Sequence, residues 1–189
     1  NVSPDSQLAP SVGDSSSKTS SKAWHKIDGV CYNGSGKKVE GAITRGMDVS
    51  EWQGKINWKE AKKDLDFAFV RISYGTRHLD DYYDYNMTEA EAADVPVGTY
   101  VYSLAKTNKE ALAEAQLAIR QMQGHKVSYP VAFDLEDEAT LGTLTRKEIS
   151  QIALTFCDEI RKAGYTPITI FIMAPGAFLV LAGLAAIQN

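Results

Sequence analysis

Residues 129–136 read Tyr-Pro-Val-Ala-Phe-Asp-Leu-Glu, a β-rich run that ends in acids. Four other runs share this texture: 46–50 (GMDVS), 67–73 (FAFVRIS), 97–103 (VGTYVYS) and 166–172 (TPITIFI). Between the five lie helix signals over residues 58–64, 85–93, 108–123 and 146–162. The third opens with Thr107 and Glu110 and the fourth with Thr145 and Glu148, the spacing by which side chains satisfy free backbone donors. Gly124 and Gly164 follow their ends, suited to a left-handed cap. Leu112, Ala115, Ile119 and Met122 fall on one stripe of the third helix, and Ile149, Ile152, Phe156 and Ile160 on one stripe of the fourth. Alternating β and α segments predict an α/β fold of about five parallel β/α units, either a (β/α) barrel or a doubly wound sheet.

In either architecture functional groups gather at the carboxyl ends of the strands. The first strand carries Asp48, and the fourth ends in Asp134-Leu135-Glu136-Asp137. Side chains two apart on a strand share a face, so Asp134 and Glu136 point one way, and Phe133 and Leu135 the other. Two inward acids on an apolar strand incur a desolvation cost. Crowding raises one pKa, so that one carboxyl stays protonated while its neighbour is ionised, as glycoside hydrolysis requires. On the residues alone, the stretch reads equally as a strand running into an acidic turn whose side chains cap a helix. Asp137 and Glu138 are read as that solvated turn. Clustered carboxylates can also hold a hard cation, but the EF-hand pattern is missing and His25, His78 and His125 are scattered. No metal and no cofactor are expected.

The chain has 189 residues, 44% of them hydrophobic, which suits a packed globular core. Its 24 acidic against 20 basic residues give a net charge of -4, which argues against a nucleic-acid partner. Cys31 and Cys157 are too far apart in sequence and context to define a disulfide framework or a CxxC site, and Cys157 is read as core. Residues 1–22, with the run Ser15 to Ser21, read as a flexible Ser-rich linker. Residues 23–42 read as a short β-hairpin with a Gly-rich turn over Asn33-Gly34-Ser35-Gly36. The chain starts at Asn1 with no basic segment leading into an apolar one, so a signal peptide is expected to be absent or already removed.

The motifs Gly46-Met47-Asp48-Val49-Ser50-Glu51-Trp52-Gln53-Gly54, Phe69-Val70-Arg71-Ile72-Ser73-Tyr74-Gly75, Pro96-Val97-Gly98-Thr99-Tyr100-Val101-Tyr102-Ser103 and Val131-Ala132-Phe133-Asp134-Leu135-Glu136 occur in this order. Together they resemble the glycoside hydrolase family 25 lysozymes. The resemblance implies a modified barrel of five β/α units followed by three further strands, over a catalytic domain placed here at residues 43–173. It implies cleavage of the β-1,4 bond between N-acetylmuramic acid and N-acetylglucosamine. By motif, Glu136 matches the general acid, Asp134 the assisting carboxylate and Asp48 the acid of the first strand. Tyr100 and Tyr102 match positions near the sugar, with Arg71 and Trp52 at the cleft as supports. The implied partner is bacterial peptidoglycan, met as a monomer with no membrane, in an extracellular or cell-wall-associated setting. The hairpin resembles one unit of the aromatic-rich repeats that bind cell walls, with Cys31 and Tyr32 where paired aromatics usually stand.

Residues 174–189 fit no motif of the family and form an atypical apolar tail. The stretch 168–187 reads first as a truncated or frame-altered end. It reads second as a helix packed on the barrel, and third as a membrane anchor, since Pro175, Gly176 and Gly183 interrupt it. An incomplete barrel with its last three strands missing is therefore expected, and a catalytically impaired wall-binding fragment is the alternative to an active muramidase. Residues two apart on a strand lie about 6.5–7 Å apart, between the carboxyl separations of retaining and inverting enzymes, so either outcome fits.

Overall fold

A computed structural model describes residues 25–33, 35–174 and 177–181. The predicted linker lies outside the described residues, as do Trp24, Gly34, Pro175, Gly176 and residues 182–189. The first described elements are β1 (His25–Ile27) and β2 (Val30–Tyr32), paired antiparallel as a separate two-stranded sheet. Their turn is Asp28-Gly29, with φ of 49° and 79°, the left-handed pair that matches strand twist in a two-residue hairpin. The sequence reading placed this turn at residues 33–36. That segment instead makes a second bend, with Asn33 Oδ1 accepting from the amides of Ser35 and Lys37 and Tyr32 bridging to Lys38. Asp28-Gly29 does not stand out in the sequence because the run around it has the composition of one continuous strand.

The main body runs β3 (Gly46–Val49), α1 (Trp58–Ala61), β4 (Phe67–Tyr74), β5 (His78–Leu79), α2 (Tyr83–Ala92), β6 (Val97–Tyr102), α3 (Asn108–Met122), β7 (Val131–Leu135), α4 (Glu138–Leu141), α5 (Arg146–Lys162), β8 (Pro167–Ala174) and β9 (Ala177–Leu181). The strands β3, β4, β6, β7 and β8 pair in parallel, each with the next in the chain. This order winds in one direction and never reverses, which separates a barrel-type sheet from a doubly wound one. The sheet is an incomplete barrel: its border strands in the described residues are β3 and β9, and these do not pair with each other.

The expected apolar tail departs from its reading at residues 177–181. These form β9, antiparallel to β8, with Phe171 opposite Leu179 and Ile172 opposite Phe178. Neither a packed helix nor a spanning helix accounts for that segment. Among the described residues no helix is long and apolar enough to cross a membrane.

Helices cover the outer face. Every residue of β7 is buried, as expected of a parallel strand packed on both sides. Its outward Phe133 stacks on Phe156 of α5 at 4.0 Å between ring centroids. The predicted α5 cap is present in full: Thr145 and Glu148 each bond the other's backbone. At α3 the Thr107 hydroxyl accepts from the Glu110 amide, while the Glu110 carboxylate takes the amide of Lys106, one residue earlier. Gly124 and Gly164 adopt φ of 87° and 90° after their helices. The buried face of α3 is rotated from the predicted stripe to Ala111, Glu114, Ala115, Ala118 and Met122, leaving Leu112 and Ile119 half-buried. Small alanines let the helix approach the sheet closely, and Glu114 faces inward to meet Ser103 and Leu104.

Candidate active site

The inner face of the sheet opens into a cleft of about 610 Å³. Alternation places its lining. From β3 come Gly46 and Asp48, from β4 Phe67, Phe69 and Arg71, from β6 Tyr100 and Tyr102, and from β7 and the residue after it Asp134 and Glu136. Lateral register aligns these side chains: Asp48 pairs with Phe69, Arg71 with Tyr100, and Tyr102 with Asp134. Two glycines make room for the aromatics beneath. A Cβ on Gly46 would lie 2.2 Å from the Phe67 ring, and one on Gly98 would lie 2.5 Å from the Pro130 carbonyl and 2.7 Å from the Phe69 ring. Phe67 stacks on Tyr129 at 4.9 Å and meets Phe69 edge to face at 6.0 Å.

The cleft gathers Asp48, Asp134, Glu136, Tyr100, Tyr102, Arg71 and Trp52, all singled out from the sequence. Asp48 is exposed, whereas Asp134 is only 9% exposed and its Oδ1 is buried with no hydrogen-bond partner among the described residues. Burial, then the charges of Glu136 and Asp48, push the Asp134 carboxyl up to about 7. Glu136 is raised as well, by burial first and by Asp48 second. The Tyr100 hydroxyl is raised by burial and then by Asp48, and the Tyr102 hydroxyl is pushed up to about 12 by burial and then by Glu136. At neutral pH both phenols are therefore neutral donors facing acids. Tyr102 also stacks on the partly exposed Tyr74 at 4.8 Å.

Arg71 and Trp52 differ sharply. Arg71 is 5% exposed and its guanidinium is engaged by Asp80 at 3.0 Å and Glu51 at 2.8 Å, so it braces the wall. Trp52 is 81% exposed at the cleft margin, where an indole face is free to stack.

Asp137, read from sequence as part of a solvated turn, is instead the N-cap of α4: its carboxylate accepts from the Thr140 amide at 2.7 Å. The short α4 carries too little apolar periodicity to stand out in the sequence. Sequence reasoning also missed Met47, Ser50, Gln53, Phe67, Phe69 and Ile170 as lining. For Phe67 and Phe69 the signal was present, because they fall in period-two phase with Arg71 on a strand already identified. It missed Glu114 too. This buried carboxyl accepts from the Ser103 hydroxyl at 2.7 Å and the Leu104 amide at 3.0 Å, and burial pushes it up to about 7. The Ser103 amide donates to the Asp134 carbonyl at 2.9 Å, tying this corner to β7. Among the described residues no group of three or more His, Cys, Asp or Glu side chains is arranged to hold a metal. Cys31 and Cys157 are both free and buried.

Residues 47–174 match the family described as Glycosyl hydrolases family 25, and the chain belongs to it. Lysozyme M1 of Streptomyces globisporus is 38% identical over 60 residues, a segment making up 31% of this chain and 20% of that protein. The modular autolysin LytC of Streptococcus pneumoniae, solved in complex with a synthetic peptidoglycan ligand, superposes with a TM-score of 0.65 at 24% identity, over 78% of this chain and 37% of its own. A family 25 glycosyl hydrolase of Bacillus anthracis superposes with a TM-score of 0.62 at 22% identity, over 80% of this chain and 66% of its own. These structural likenesses bear on the fold. The chain spans about a fifth of Lysozyme M1 and about two fifths of LytC.

Proposed function

We propose that the chain is a peptidoglycan muramidase, hydrolysing the β-1,4 bond between N-acetylmuramic acid and N-acetylglucosamine at the cell wall. One observation carries the reading: Asp134 on β7 and Glu136 just after it meet Asp48 in one cleft, and both are raised, Asp134 by burial and then by the charges of Glu136 and Asp48, Glu136 by burial and then by Asp48. Family membership and the peptidoglycan ligand of the LytC complex support it. In this reading Glu136 protonates the leaving oxygen and Asp134 assists at the sugar. The buried Oδ1 of Asp134 accepts the substrate's N-acetyl N–H. That hydrogen bond favours the Asp134 carboxylate and leaves the shared proton on Glu136. Asp48 contributes negative charge that keeps a proton on the pair. Tyr100, Tyr102 and Trp52 contact the sugars.

A second reading, a wall-binding protein without turnover, is favoured by the lack of pairing between β3 and β9 among the described residues. Incubation with purified peptidoglycan, and with chitin in parallel, separates the two. Reducing ends released from peptidoglycan and not from chitin are the expected result; sedimentation with peptidoglycan and no released ends would favour the second reading.

A further inference from the structure

The turn after β3 carries Trp52 out to the cleft margin, and two acids hold it from behind. Asp80, 6% exposed, accepts from the Glu51 amide at 2.7 Å, from Arg71 Nε at 3.0 Å and from the Tyr82 amide at 3.1 Å. Glu51 bridges two side chains: one carboxylate oxygen meets Arg71 Nη2 at 2.8 Å and the other meets His78 Nε2 at 2.7 Å. Its residue neighbours complete the turn, with Ser50 N donating to Gln53 Oε1 at 2.8 Å and Gly54 N to the Glu51 carbonyl at 3.0 Å. Asn86, fully buried on α2, closes the far end by donating to the Gly54 carbonyl and accepting from Ile56 N and Trp58 Nε1. The acids that hold this turn thus sit outside the three-carboxylate cluster and beside its wall.

We propose that Glu51 and Asp80 are positioning residues for sugar binding, which through Arg71 and His78 fix the Ser50–Gly54 turn and so present the Trp52 ring to the glycan. An exposed indole gives affinity in proportion to how little freedom it loses on stacking, so a turn already immobilised delivers the contact at lower entropic cost. Neither acid touches the reacting atoms. Their effect lies in binding and runs through Trp52. The hydrogen bond from His78, with the Arg71 charge behind it and against the cost of burial, holds the Glu51 carboxyl below the usual carboxylate range.

The inference rests on the muramidase reading, and its test has one arm that does not. In a Trp24→Phe background the emitting indoles are Trp52 and the buried Trp58. Glu51→Ala is expected to lower the fluorescence anisotropy with little change in thermal midpoint, since Arg71 keeps Asp80; Glu51→Gln, which retains an acceptor, should restore part of it. On a soluble glycan of alternating N-acetylglucosamine and N-acetylmuramic acid, Trp52→Ala and Glu51→Ala should each raise KM roughly three- to tenfold, the scale of one aromatic contact. Both should leave kcat within about twofold, and the double variant should be no worse than Trp52→Ala alone. Unchanged anisotropy in Glu51→Ala, additive losses in KM, or a fall confined to kcat would each overturn the proposal. If the wild type neither binds nor cleaves the glycan, the muramidase reading fails, and the anisotropy alone decides whether Glu51 fixes the turn.

Discussion

Asp134 combines burial, two acidic neighbours and an oxygen with no hydrogen-bond partner among the described residues, so its ionised form is costly in the folded chain. A carboxyl raised from 3.8 to about 7 on folding binds more protons in the native state. Its contribution to stability is complete below the unfolded pKa and is lost as pH rises through the folded one. Asp134→Asn removes that titration. Relative to wild type the variant should gain stability from about pH 4 upward and level off above about pH 7, with a ceiling of about 4 kcal/mol at about 1.4 kcal/mol per pH unit. Glu114 titrates in the same window, so the difference between urea midpoints of variant and wild type, followed across pH, is the proper measurement. A flat difference would refute the buried ionisation. Turnover should move the other way, since the variant loses the carboxylate proposed to assist at the sugar. Glu136→Gln keeps the shape but cannot deliver a proton, and should lower the release of reducing ends about 100- to 10,000-fold without loss of stability. Asp137→Asn serves as the control, because asparagine caps α4 as well as aspartate does. Asp134 and Glu136 were legible in the sequence because strand alternation alone puts them on one face. Asp80 was not, since its partners Arg71 and Glu51 meet it only when the two-residue β5 folds back on β4.

Elements with strong local signals follow the sequence closely: α5 begins and ends where its cap and periodicity place it, and β4, β6 and β7 start or stop within about two residues of the predicted runs. The capping box gives that start its definition, and Thr145→Ala removes both the acceptor for the Glu148 amide and the hydroxyl that binds the Glu148 carboxylate. A loss of about 1 kcal/mol follows, or a fall of about 2–4 °C in Tm for a chain of this size. Calorimetry checks it, and an unchanged Tm would mean that α5 is held by its packing on α3, β7 and β8 alone. Weak local signals fared worse, for physical reasons. The face of α3 is rotated because Glu114 finds buried donors that sequence periodicity scores as solvent, and β9 was set apart because an apolar run without alternation reads as strand, helix or anchor alike.

At the scale of the molecule, the consequence of one-way winding is that the proposed catalytic carboxylates, on β3, on β7 and just after β7, face a cleft whose remaining side lies between β3 and β9, which do not pair among the described residues. A sugar chain in that cleft would be gripped from the side of Asp48, Tyr100 and Tyr102, with no strand among the described residues joining β3 to β9. Catalysis by a raised carboxyl depends on exclusion of water, because solvent restores the ordinary pKa and weakens every charge interaction that the site uses. The region aligned with the Bacillus anthracis enzyme amounts to 66% of that protein, and its unmatched remainder can be joined to this chain as a test of that side. Joining the unmatched remainder of that enzyme after β8 should raise kcat/KM on purified peptidoglycan by about tenfold or more, and should push the alkaline limb of the pH profile upward as Asp134 and Glu136 become drier. If the chimera folds, as judged by a single cooperative melt, and yet turns over no faster than the present chain with an unmoved alkaline limb, then the open side is not what limits the site. The half-barrel from β3 to β8 would then be sufficient for catalysis by itself.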